Sequence, residues 1–430
     1  MNKKPWVNLT PIILFMFSYE LMGAYDFFGL EYFQTFYLSI FFILFAIYLI
    51  LEIKERFGNK DLHYHKLAIV LFCIIFTTGG GIAMLISSSR QPGGYLYIHD
   101  GALQTELAAK KLMAGRNFYT EDFTDGIFAD WNDNQAFSFL GEEYDEIPTL
   151  YHYVYLPFYP ILTVPAVLLI ENIFGFYDQR ILLYVAFLAA LYLLYKLVKG
   201  KENKLLALTL FAFNPWFVQD LIEGKNDVLL LFFILWIVYL LRQNKIVQSS
   251  IILALAVLTK QTAWLLLPFY FFYLFWQKKN WRDSLVYVWQ KTKWGILAGL
   301  VILLPFLFWD FKSFWQDIYQ YPSGTLATSW PINGFGLSRF LYHTGVIKSI
   351  RDYYPFIIWQ LVFCVPLAWW LIKIQAKKNS TTLMLFSYTL VLACFWFFSR
   401  FFQANYVVFI FQLLVIIYFI GYNGLTDEKD

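Results

Sequence analysis

Apolar runs of about 20 residues recur from one end of this chain to the other, each long enough to cross a ~30 Å hydrocarbon core as a helix. Short polar links join most of them, and two links are long. The first runs, roughly Val7 to Gly23, Tyr32 to Leu51 and Lys66 to Ser88, predict three spans. The link after the second carries Lys54, Arg56 and Lys60, which the positive-inside rule assigns to the cytoplasm. The third span then delivers residues 89–150 to the opposite face as the longest polar loop. Its eleven Asp or Glu against four Lys or Arg suit an extracytoplasmic position.

Tyr151 to Phe174 is apolar but has Pro148, Pro157, Pro160 and Pro165 in or beside it. A full crossing here would put Lys196, Lys199, Lys201 and Lys204 outside, so the segment reads as re-entrant, buried against protein. Gln179 to Leu197 crosses inward, Leu205 to Ile222 outward, and Val228 to Leu241 returns to Arg242 and Lys245. The run from Ile251 is interrupted at Lys260-Gln261 and resumes at Thr262, the pattern of a broken helix pair. Trp294 to Trp309 leads to a second outer loop, residues 312–352; Pro355 to Ile372, Leu383 to Phe398 and Tyr406 to Gly421 complete the chain. The expectation is an all-α polytopic membrane protein of about 11–13 transmembrane or half-spanning helices, one domain over residues 1–430, with active chemistry in loop 89–150.

Composition agrees: 15% of residues are charged, against roughly 25% in soluble domains, and 59% are hydrophobic. A net charge of +3, spread in small clusters, gives nucleic acid no footprint. Cys73, Cys364 and Cys394 sit inside apolar runs and read as packing residues. The basic Met1 to Pro5 is followed by a run containing Glu20 without a small-residue cleavage site, so the first helix reads as a retained anchor.

Residues 102–114 are good helix formers stopped by Gly115, which puts Asp100 at a helix start in the polar loop. Asp100 is either a catalytic carboxylate or an ordinary helix cap. Glu106 lies four residues before Lys110 and so has a ready surface partner; His99 adjoins Asp100. Lys260, between two apolar half-spans, needs water, a partner or a ligand such as a lipid phosphate, or else snorkels to the surface. Asp227 either caps the next helix or joins the chemistry. Arg339 and Arg400 are further cations on the same face. His63, His65, His99, His152 and His343 are scattered, so no metal is expected, and no glycine-rich nucleotide loop is present. Gly79-Gly80-Gly81 reads as a close-packing site between helices.

These parts, in order, resemble the GT-C superfamily of integral-membrane glycosyltransferases, nearest its mannosyltransferase-like branch. The likeness rests on Asp100 with its helix, Gly115-Arg116-Asn117-Phe118-Tyr119, Tyr153-Val154-Tyr155-Leu156-Pro157, Asn214-Pro215, Gly224-Lys225-Asn226-Asp227 and Lys260, with a looser match at Gln403 to Tyr406. Phe118 stands where Pro is usual. The resemblance implies inverting transfer of a sugar, a mannose-like hexose, from a polyprenyl-phosphate carrier to a hydroxyl of a lipid, glycan or protein, without a cofactor. It makes Asp100 the base, Lys260 the leading phosphate ligand with Arg339 and Arg400 as further ones, and His99, Glu106, Tyr119, Tyr155 and Asp227 substrate-binding or supporting residues. It also implies an active site on the outer face of the plasma membrane if the cell is prokaryotic. A transporter or flippase of lipids or lipid-linked sugars would account for Lys260 and the broken helices, but calls for internal repeats that the sequence lacks. A ligase or polymerase of lipid-linked glycans would place its main loop late in the chain.

Overall fold

A computed structural model describes residues 9–14, 16, 31–58, 60–89, 97–124, 126–133, 137–144 and 147–422. The expected span Val7 to Gly23 falls largely outside them. Among the described residues helix dominates, and strands are confined to two short pairs: antiparallel β1 (Phe137–Phe139) with β2 (Glu142–Tyr144), and parallel β3 (Asn333–Gly334) with β4 (Phe401–Phe402).

The long helix α1 (Glu31–Phe57) is followed by α2 (His63–Ser89), which loosens into a π-turn at Ile75–Gly79. The next residues explain the triple glycine: a Cβ on Gly81 would come within 2.8 Å of Ile222 Cδ1, so the helices touch there. The first polar loop folds as α3 (Asp100–Met113) and α4 (Gly126–Asp133).

After the loop comes α5 (Phe158–Phe174) and then α6 (Gln179–Leu197). The Phe158 amide donates to Leu258 O at 2.9 Å, and Arg180, just past the far end of α5, reaches Tyr97 O at 2.9 Å. The start of α5 is therefore tied to the break at Lys260, and at 17 residues the helix is shorter than the long apolar spans.

One outward span was expected over Leu205 to Ile222, but two helices are found, α7 (Lys201–Ala212) and α8 (Pro215–Glu223), bent by 57°. Pro215 has no amide to continue α7, and Asn214 Oδ1 caps α8 by accepting from Trp216 N at 3.2 Å. The chain returns along α9 (Asp227–Arg242). The break at Lys260 is present: α10 (Ile246–Val257) gives way to a 3₁₀ turn, Gln261–Leu266, and then α11 (Leu267–Phe275).

Helix α12 (Trp281–Trp309) starts earlier than its apolar run, because hydropathy marks only the part in hydrocarbon while the Asn280-capped helix extends beyond it. Val301, Phe308 and Trp289 are exposed on it, an apolar surface that suits lipid. The second polar loop contains α13 (Phe311–Trp315), a π-turn at Gln316–Gln320, and α14 (Leu337–His343). Then follow α15 (Phe356–Lys377), α16 (Thr381–Phe397) and α17 (Ala404–Tyr422). Among the described residues five helices are long and apolar enough to span by themselves, α2, α6, α12, α15 and α17, or six if the bent α7–α8 pair counts as one.

The links between helices are tied by contacts of their own: Asp61 pairs with Lys201, Arg242 donates to Ile420 O at 3.0 Å, and Asn379 donates to Tyr273 O at 2.8 Å. The long apolar helices are those of an integral membrane protein.

Candidate active site

The polar loops, the break at Lys260 and the head of α17 enclose a cavity of about 590 Å³. Asp100, Tyr155, Asn226, Asp227, Lys260 and Arg400 all contribute to its wall.

Asp100 opens α3, one residue after the cap, His99. The Gly101 amide points at both side chains, 2.6 Å from Asp100 Oδ1 and 3.1 Å from His99 Nδ1, and Nδ1 lies 2.9 Å from Oδ1. The capping role that sequence leaves open for Asp100 is thus shared with His99. Burial pushes the Asp100 carboxyl up, but the His99 ring, the Gly101 amide and the nearby Thr149 hydroxyl outweigh it and hold the pKa below the ordinary carboxylate value. Asp100 is therefore ionised near neutral pH, a ready proton acceptor.

Gly101 is required by contact: any Cβ there would overlap the Tyr155 hydroxyl. The glycine lets that phenol lie against the start of α3, where burial and the Asp100 charge raise its pKa and keep it protonated. Tyr119 supports Tyr155 from behind by donating to Tyr155 O at 2.7 Å.

The segment leading to Asp100 is anchored. His99 N donates to Glu223 O at 2.8 Å, and the Tyr97 hydroxyl to Glu223 Oε1 at 3.2 Å. Arg180, fully buried, grips Asp178 through two 2.8 Å bonds and spends a third donor on Tyr97 O. Glu223 starts the turn that ends at Asp227, so the two carboxylates are held by one backbone assembly.

Lys260 does not snorkel. It is 8% exposed, with Nζ 2.5 Å from Asp227 Oδ1, 2.9 Å from Asn226 Oδ1 and 5.7 Å from the Tyr406 ring centre. Asn405 Nδ2 donates to the other Asp227 oxygen at 2.7 Å. Asn405 is the partner that sequence reasoning missed; the loose match at Gln403 to Tyr406 was its one signal. The break frees backbone acceptors, and the segment bearing Tyr155 uses them: Phe158 N donates to Leu258 O and Leu156 N to Thr259 O at 3.4 Å, while Gln261 Nε2 donates back to Val154 O at 2.6 Å.

Arg400 lines the cavity, yet its guanidinium holds backbone, donating to Trp330 O at 2.6 Å, Asp352 O at 2.7 Å and Ile350 O at 3.0 Å. Arg339 is exposed on α14, bonded to His343 Nε2 at 3.3 Å, and is not part of the wall. Glu106 is buried beside Lys110 at 2.9 Å, the pairing its spacing predicts, and Lys110 also meets Glu171 at 3.0 Å. The cavity thus gathers Asp100, His99, Tyr155, Asp227, Lys260 and Arg400, and leaves out Arg339, Glu106 and Tyr119. Tyr321 and Trp330, which sequence did not single out, complete its second-loop side. Among the described residues no group of three His, Cys, Asp or Glu side chains is arranged for a metal.

Residues 159–309 match the family model described as dolichyl-phosphate-mannose-protein mannosyltransferase. That segment holds Asp227 and Lys260 but begins after Asp100 and ends before Arg400. No curated protein and no solved structure matches the chain. Set among membrane-length helices around a carboxylate-bearing cavity, residues 159–309 thus form a segment that matches a glycosyltransferase family of the GT-C type.

Proposed function

We propose that the protein transfers a hexose, mannose foremost, from a polyprenyl-phosphate carrier to a hydroxyl of a lipid, glycan or protein acceptor, with inversion, on the extracytoplasmic face of the membrane. The observation that carries this reading is one cavity holding an ionised carboxylate, Asp100, and a buried ammonium, Lys260. Asp100 takes the acceptor hydroxyl proton as that oxygen attacks the anomeric carbon, and the bond from that carbon to the phosphate oxygen breaks. The polyprenyl phosphate leaves with the electron pair, and Lys260 stabilises the charge that gathers there.

In this reading Asp227, Asn226 and Asn405 hold the lysine in place before the phosphate arrives. Of the other two cations expected at the phosphate, Arg400 shapes the wall by clamping the second loop, and Arg339 is not among the residues that line the cavity. The basic clusters in the links that the sequence assigns to the cytoplasm support an extracytoplasmic site through the positive-inside rule.

The test uses purified protein in lipid nanodiscs with labelled polyprenyl-phosphate hexoses and candidate acceptors, wild type beside Asp100→Asn. Transfer by wild type and its collapse in the variant are expected. Undiminished transfer by Asp100→Asn would remove Asp100 as base. Carrier binding without transfer of any sugar would instead favour a flippase or transporter.

A further inference from the structure

Among the described residues, two aromatic donors of the cavity wall have no hydrogen-bond partner, as have the wall hydroxyls of Thr149 and Thr262. Tyr321 is 2% exposed and its hydroxyl is unbonded; the indole N–H of Trp330 is unbonded as well. Buried polar groups are seldom left so, and an orphan in a cavity wall points to a ligand that completes it.

Both side chains are otherwise firmly held. The Tyr321 ring lies 4.8 Å from that of His152, whose Nδ1 sits 2.7 Å from Asp317 Oδ1 and whose Nε2 sits 2.7 Å from Thr328 Oγ1. The π-turn at Gln316–Gln320 immediately precedes Tyr321, a local rewinding often met at functional sites. Trp330 packs edge-on against Phe139 at 5.3 Å, and its carbonyl is clamped by Arg400. The two aromatics are thus fixed while their donors stay unused, as preorganised recognition demands.

We propose that Tyr321 and Trp330 form the sugar subsite of this cavity, their O–H and N–H donating to hydroxyl oxygens of a hexose ring and their ring surfaces covering its C–H faces. The inference rests on the sugar-transfer reading above and says which wall holds the sugar. A neutral phenol and an indole match an uncharged polyol better than a phosphate, whose charge is met by Lys260 across the cavity. Burial, together with the charges of Asp100 and Asp317, raises the Tyr321 pKa, so the phenol keeps its proton.

The sugar can be the one transferred or one on a glycan acceptor, and binding measurements separate the two. Full-length protein in nanodiscs is titrated with bare polyprenyl phosphate, with polyprenyl-phosphate mannose, glucose and galactose, and with the corresponding methyl hexosides. Tyr321→Phe and Trp330→Phe are each expected to weaken sugar binding about 3- to 10-fold while leaving affinity for the bare carrier unchanged. Loss on the carrier-linked sugars assigns the subsite to the donor; loss confined to methyl hexosides assigns it to the acceptor. Tyr321→Phe removes a single oxygen, so it carries the test should Trp330→Phe fail to fold. Wild-type affinity of folded Tyr321→Phe for every sugar ligand, or no sugar-dependent affinity in wild type, overturns the proposal. Tyr321-dependent binding without transfer sinks the transferase reading alone, and normal transfer with unmoved sugar affinities sinks only this subsite.

Discussion

Lys260 Nζ lies 2.5 Å from Asp227 Oδ1, so the cation at a break in one helix meets the carboxylate at the head of another. Both side chains are about nine-tenths buried, so neither charge is compensated by water. Removing one partner of such a pair costs about 3–5 kcal/mol, because the other charge is stranded. Lys260→Met is therefore expected to lower thermal stability strongly, and Lys260→Met with Asp227→Asn to recover most of the loss. Melting curves in nanodiscs check this; equal melting of single and double variants would show that the pair is not coupled.

Asp100→Asn leaves the shape of the site while removing the proposed proton acceptor. The expected loss in turnover is about 10²- to 10⁴-fold, with affinity for the carrier lipid retained. Because the pKa of Asp100 is held below its ordinary value of 3.8, an acid limb set by this residue lies below pH 4. A rate profile that falls already near pH 6 in wild type would assign that limb to another group.

Gly101→Ala drives a methyl group into the Tyr155 hydroxyl and ring. Overpacking of this kind costs about 1–3 kcal/mol, and here it pushes against the first turn of α3, which carries Asp100. Melting temperature and turnover are both expected to drop. Gly101→Ala with Tyr155→Ala relieves the overlap, and recovery of the melting temperature in that double variant identifies the contact as the cause.

Asp317 titrates high. Burial pushes its carboxyl up to about 6 from an ordinary 3.8, although the bonds from His152 and the Tyr153 amide pull the other way. The folded protein then holds this proton more tightly than the unfolded chain does. Its contribution is fully present below pH 3.8, declines as pH rises towards 6, and is lost above that. Asp317→Asn, which cannot titrate, is expected to flatten this part of the stability profile, and melting temperatures of both proteins from pH 4 to 7 decide the matter. Parallel profiles would mean that Asp317 titrates normally.

Local signals carried much of this structure. The apolar run broken at Lys260 announces the broken helix because an ammonium cannot continue a lipid-facing surface, and the spacing of Glu106 and Lys110 announces their pair because neighbours on one helix turn must meet. The bend at Asn214-Pro215 is harder to see, since apolar character continues across it and only the missing amide and the cap interrupt the helix. Contacts between distant segments leave no local trace at all. Apart from the loose match at Gln403 to Tyr406, nothing around Asn405 reveals that it will hold Asp227, and nothing around Arg400 says that its donors will go to backbone carbonyls. Arg339 illustrates the same limit, because a charge in an outer loop carries no information about the direction it faces.

The bonds from Leu156 and Phe158 to Thr259 and Leu258 have a consequence for the order in which the molecule is made. A chain emerging from the ribosome presents the loop with Asp100 well before the residues around Lys260 exist, and at that stage the backbone beside Tyr155 has no partners for these amides. The site is closed only when α10 has entered the bilayer and its broken end has met the waiting loop. A nascent chain halted before Lys260 would expose an acid and a phenol with no lysine to complete the cavity wall.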